Sequence, residues 1–268
     1  MSVRNRVLFF AVAWAIVLMP FLFWRSTWFG RPLSPEQMQQ YLRDDKKPRD
    51  IQHALVQIGE MMTRRAPAAQ RWYPDLVRLS AHPVEEVRNT DAWVMGQDNR
   101  PEFHSALLTM LQDASPTVRA NAALSLIRYG DASGRPALLA MLQPATVSAP
   151  QSGRVLDLGK TGAAIHENGV VAKLEAGSSA IEIRSPIGGR IRSFTVAEGA
   201  QVSSGSDIAT IDPGEEEVWE ALRGLYLIGE KDDLPAIRAY QRALPDMPDR
   251  VRQQAIETEK AILKRAPQ

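Results

Sequence analysis

The chain has 268 residues, with 32 Lys and Arg set against 31 Asp and Glu, and its 44% hydrophobic and 24% charged content is that of a folded protein rather than a disordered one. A net charge of +1 offers no electrostatic footprint for nucleic acid. The absence of cysteine excludes disulfides, thiolate metal sites and a cysteine nucleophile.

The first element is apolar. From Val7 to Trp24 the sequence carries no charge, with Arg4 and Arg6 before it and Arg25 after. Such a run is long enough to cross a hydrocarbon core as a helix. Trp24 and Trp28 stand where an aromatic belt would lie, and Pro20 is tolerable in a membrane helix. A cleaved signal peptide would need a shorter apolar core and a small-x-small site, which WRSTWFGRP does not offer. Residues 1–30 are therefore expected to form a retained single-pass anchor. Basic residues on its two sides nearly balance. The simpler arrangement leaves the short tail inside a bacterial inner membrane and the bulk of the chain on the periplasmic side.

Residues 31–144 read as helix pairs. Short amphipathic stretches, SPEQMQQYLRDD, RWYPDLVRLSA, PEFHSALLTMLQDA and GRPALLAMLQ, alternate with PRDIQHALVQIG, PVEEVRNTDAWVMG and PTVRANAALSLIRYG. The second set opens on proline, which suits a first helical turn. An aliphatic anchor follows in each, at Ile51, Val87 and Val118, and Val118, Ala122, Leu126 and Ile127 share one helical face. After a long gap the pattern resumes over 214–268, with anchors at Val218 and Val251. These repeats resemble the HEAT family, most closely in LLTMLQDASPTVRANAALSLIRYGD. The resemblance implies a solenoid of antiparallel helix pairs stabilised by its neighbours. It places the family's Asp and Arg at Asp113 and Arg119, as a structural ladder between repeats.

The gap, residues 145–213, lacks helical periodicity and is rich in Gly, Ser, Val and Ile. Its halves match: VSAPQSGRVLDL aligns with IRSPIGGRIRSF, and TGAAIHENGVVAKLE with EGAQVSSGSDIATID. Gly153 and Gly189 would sit at strand bends, with turn glycines following in each half. Two tandem halves of this kind resemble the lipoyl/biotinyl barrel-sandwich domain, also found in periplasmic adaptor (membrane-fusion) proteins of exporters. The resemblance puts Ser178 at the carrier-lysine position, where no amide to lipoate or biotin can form, and Lys173 lies five residues too early. The short tip AGSS has no room for the helical hairpin of exporter adaptors.

No catalytic constellation emerges. His53, His82, His104 and His166 are scattered without ligand spacing, His104 and His166 reading as solvated. No phosphate-cradling glycine loop or nucleophile elbow occurs. Glu215-Glu216-Glu217 reads as a helix start favoured by the helix dipole.

The expected architecture is multi-domain α+β: an N-terminal transmembrane helix, a HEAT-like α-solenoid and an inserted all-β domain. The expected function is a membrane-anchored, non-enzymatic scaffold with no cofactor and no metal. It would bind a membrane protein complex or other proteins, and neither nucleic acid nor a small-molecule substrate. Arg190 and Arg192 are the candidate interaction residues. The alternatives are an adaptor subunit of an export complex and a degenerate carrier-domain protein.

Overall fold

Each helix begins where its sequence supplies a start signal. In the computed structural model, Ser34 caps α1 (Pro35–Arg43), its side chain accepting from the Gln37 N–H while the Gln37 side chain accepts from the Ser34 N–H. Pro48 and Pro101 open α2 (Pro48–Thr63) and α5 (Pro101–Met110). Ser115 caps α6 (Pro116–Arg128) by accepting from Val118 N–H. The remaining helices are α3 (Tyr73–Leu79), α4 (Glu85–Met95), α7 (Arg135–Met141), α8 (Glu215–Ile228), α9 (Leu234–Arg238) and α10 (Asp249–Arg265). The structure describes residues 14, 18–19, 32–177 and 179–265. Most of the run from Val7 to Trp24, and the anchor expected there, lies outside them. Among the described residues no helix is long and apolar enough to cross a membrane.

The helices pair. The even-numbered ones form one layer, α2 against α4, α4 against α6, α6 against α8 and α8 against α10, and the short odd-numbered ones cover its other side. All five anchors, Ile51, Val87, Val118, Val218 and Val251, are buried. One cluster of buried side chains runs from Met38 to Leu126, and a second joins Ala123 and Ile127 to Leu138, Leu222, Leu225 and Val251. Both clusters take residues from α6. The second is continuous across the stretch 145–213.

One buried position departs from the pattern. Four residues beyond the anchors stand Leu55, Asp91, Ala122, Leu222 and Ala255, every one at 0% exposure. Only Asp91 is polar, and neither of its carboxyl oxygens has a hydrogen-bond partner among the described residues. Burial pushes its pKa well above the carboxylate range, against a smaller opposing pull from Arg78. The folded chain thus holds a proton that the unfolded chain releases, so stability falls as pH climbs from the ordinary Asp value towards the raised one. Asp91→Leu should raise the melting temperature at neutral pH, and its advantage over wild type should shrink on acidification. Thermal melts of both proteins across pH check this; a gain that is absent, or independent of pH, is the contrary result.

Between α7 and α8 the chain makes eight strands: β1 (Ala145–Ser148), β2 (Gly153–Leu158), β3 (Ala164–Ile165), β4 (Val170–Ala176), β5 (Ser179–Arg184), β6 (Gly189–Phe194), β7 (Gln201–Val202) and β8 (Asp207–Pro213). They form two antiparallel four-stranded sheets in the orders β1-β8-β6-β3 and β5-β4-β2-β7. Advancing every strand of the first order by four, modulo eight, yields the second. The sandwich therefore has an internal two-fold relation, and each sheet takes strands from both halves. Register breaks obey it too. The ladder skips Leu156 in β2 and Arg192 in β6, then Val171 in β4 and Ile208 in β8. The glycines opening β2 and β6 are needed for close approach: a Cβ on Gly153 would meet the Glu175 carbonyl oxygen at 2.3 Å, and one on Gly189 the Asp212 oxygen at 1.9 Å. Val155, Leu174, Ile191 and Ile211 are among the side chains that fill the space between the sheets.

The first and last strands pair, with Ala145 opposite Ile211. The ends of the β-domain thus lie about one strand spacing, roughly 5 Å, apart. Replacing residues 145–213 by a short Gly/Ser turn should leave α7 packed on α8 and a cooperative helical melt, because stability in such arrays is mostly nearest-neighbour. Circular dichroism of the shortened chain tests this; a non-cooperative melt would show that the sandwich is part of the helical core.

Candidate functional site

Directly after the anchors stand Gln52, Arg88, Arg119, Trp219 and Arg252, an arginine in three of the five repeats. Arg88 shows the role. Its guanidinium donates to both oxygens of Asp113 in the next repeat, at 2.7 and 2.9 Å, and to the His82 and Pro83 carbonyls. Burial pushes Asp113 up, but Arg88 and the Ser115 N–H outweigh it and hold the carboxyl below its usual range. Arg119 makes the equivalent carbonyl bonds, to Asp113 and Ala114 at 2.6 and 2.9 Å. No carboxylate completes its set among the described residues. The position corresponding to Asp113 one repeat on, five before Val218, is Pro213, the last residue of β8. The β-domain has taken the place of a rung. Asp113 and Arg119 are thus neighbours without being an ion pair; the pair across repeats is Arg88 with Asp113.

A second rung is rebuilt with a residue from the β-domain. Asp246, five before Val251, corresponds to Asp113, but the residue after the preceding anchor is Trp219. Arg190 of β6 supplies the missing guanidinium, 2.6 Å from Asp246. Arg192 pairs with Asp212 on the neighbouring strand. Both arginines are therefore engaged within the chain. Ser178 lies outside the described residues, and Lys173 lies within β4, opposite Glu182 and 3.8 Å from Asp157.

Other links hold the β-domain against the helices. Gly214 N–H donates to the Gly188 carbonyl at 3.0 Å, and Thr117 Oγ1 at the start of α6 donates to Glu167 in the β3–β4 turn. Between these contacts a cleft of about 720 Å³ opens, walled by α6, α7, α8 and the β-domain. Its apolar lining includes Leu124, Ala137, Met141 and Ile187; Arg119, Glu167, Glu216, Glu217 and Glu220 bring charge to it.

The three glutamates at the start of α8 part company here. Glu215 and Glu216 reach Arg250, which also lies 4.9 Å over the Trp219 ring. Glu217 turns beneath the β-domain. Burial raises its pKa, and its own N–H and that of Gly188 oppose the shift. Glu167 is raised as well, by desolvation first and then by Glu85, Glu217 and Glu86, with the Thr117 hydroxyl opposing. The sequence reading of the run as a helix start accounts for its location but not for these separate destinations, and it missed Glu167 altogether. Helical geometry carries the missing signal, since consecutive residues point about 100° apart. His104, read as solvated, bonds Asp131 at 2.6 Å. Among the described residues no group of three or more His, Cys, Asp or Glu could hold a metal ion.

Residues 73–149 match the family described as HEAT repeats. This stretch, α3 to the first strand, covers less than half of the chain, and it supports a helical repeat region there. No curated protein matches the chain. Among solved structures, a single-chain, multi-domain long-chain acyl-CoA carboxylase is similar at a TM-score of 0.26 and 16% identity, over 37% of this chain. The matched part is 10% of that chain, and likeness at this level says nothing about the present fold.

If Arg190 is a strut, Arg190→Glu should speed amide exchange around Gly188–Ile191 and in the loop holding Asp246, and adding Asp246→Arg should restore protection. Hydrogen-exchange mass spectrometry decides it; equal protection in wild type and the single variant would deny the strut.

Proposed function

We propose that this chain is a non-enzymatic scaffold, tethered to a membrane by the apolar run from Val7 to Trp24, that holds a partner protein where its helical repeats meet the β-domain. The observation carrying this reading is the cleft at that junction, whose walls combine apolar side chains with carboxylates. HEAT repeats generally mediate protein–protein interaction, and residues 73–149 supply one wall of the cleft. The α7–α8 contact already closes the array, so the inserted β-domain contributes surface without being needed to bury that core.

The export-adaptor reading draws support from the two-fold relation of the sheets, the arrangement that the lipoyl/biotinyl resemblance implies. On that reading the sandwich stacks against copies of itself, and the short β4–β5 hairpin is no bar to stacking.

Affinity purification in detergent, followed by mass spectrometry, should recover a stoichiometric partner with the full chain and lose it when 145–213 is replaced by a short turn. Recovery of the same partner by both chains would assign binding to the helices alone. An alkaline wash that strips the full chain from membranes would remove the tether from the proposal.

A further inference from the structure

The cleft carries a charge imbalance that the fold does not require. Glu215 and Glu216 are matched by Arg250, and Glu220 by Arg223. Glu167 and Glu217, which also line the cleft, have no basic side chain within ion-pair distance among the described residues, and the charges of Glu85, Glu217 and Glu86 are all felt at Glu167. Among the described residues Arg119 is the one basic side chain in the lining, and it is committed to two carbonyls.

The bonds these acids make inside the protein need no charge. Glu167 accepts from the Thr117 hydroxyl, and Glu217 accepts from the Gly188 N–H. A glutamine oxygen would accept both. Yet each carboxylate is held where desolvation and its neighbours disfavour ionisation, a standing cost that a neutral residue would avoid. A cation arriving from outside would remove that cost, and partial desolvation strengthens its attraction relative to water.

We propose that the cleft binds an extended basic segment of a partner protein, with a Lys or Arg side chain lying between Glu167 and Glu217 and an aliphatic neighbour resting on Leu124, Met141 and Ile187. The assignment rests on the scaffold reading and deepens it by naming the occupant. Among the described residues the carboxylates here do not gather into a group of three that could hold a metal ion. A cleft of about 720 Å³ is within the range of sites that enclose a ligand of several residues. Small side chains along the walls, Ala120, Ala137 and Ala140, leave room for a main chain to approach. Apolar and acidic surface side by side selects a segment in which basic and aliphatic residues alternate.

The test is selection from a displayed random hexapeptide library on the purified full chain, with Glu167→Gln/Glu217→Gln selected in parallel. Equal melting temperatures for the two proteins establish that the variant is folded. The expected result is enrichment of peptides with Lys or Arg beside an aliphatic residue. Their affinity should fall about tenfold or more in the double variant and weaken with added salt. Three outcomes overturn the proposal: no enrichment, enrichment of neutral or acidic peptides, or basic peptides that bind the variant equally well. Equal competition by spermidine and by an all-lysine peptide lacking aliphatic residues would also overturn it, by reducing the site to a general cation trap. The scaffold reading fails separately, if the full chain recovers no stoichiometric partner at all.

Discussion

The two faces of α6 constrain the rest of the molecule. Val118, Ala122 and Leu126 pack back onto the helices that precede it, while Ala123 and Ile127 pack forward onto Leu138 and the helices that follow the β-domain. A helix in an array of this kind must be apolar over more than half its circumference, and its small residues let both neighbours come close. At Gly134 a Cβ would meet the Cα of Ala123 at 2.6 Å, so even the turn into α7 is pressed against this helix. Everything at the junction takes its position from that packing: α7 covers the forward face, α8 lies beside it, and the cleft is the space left over α6 once the β-domain has docked.

Docking has an electrostatic pattern of its own. The array uses one recurring device, an arginine that ties the carbonyls before its own helix to a carboxylate in the next repeat, and Arg88 makes the complete form of it. The inserted sandwich removes one rung at Pro213 and restores another through Arg190 and Asp246. The ladder is therefore broken on the side of the cleft and mended on the side of the strut. Glu167 and Glu217, which have no basic partner among the described residues, face the cleft on the broken side.

Patterns that depend on burial were legible in the sequence, and those that depend on docking were not. The anchors Ile51, Val87 and Val118 could be read because each follows a start signal and opens a helical period, and a run of helices stands there in the structure. Asp91 was equally open to reading: in the aligned repeats it is the one polar residue among Leu55, Ala122, Leu222 and Ala255. Arg190 looked like free surface because its partner, Asp246, comes beside it only after two separate units have met. Glu217 and Glu216 are chemically identical in the sequence, and one turns inward for no reason but its angle around α8. Local order and apolar period survive translation into one dimension; the pairing of charges between units does not.

The pairing of β1 with β8 also bears on the order in which the chain can assemble. Were residues 145–213 a floppy loop, bringing α8 back to α7 would cost on the order of 4 kcal/mol in closure entropy. A sandwich whose terminal strands are neighbours settles that cost by its own internal contacts, and it hands the helices two chain ends already side by side. The solenoid's forward cluster then forms as though its members were nearly adjacent in sequence. Long-range in the chain and short-range in effect, the α7–α8 contact should belong to the fast, local class of folding events once the strands have closed.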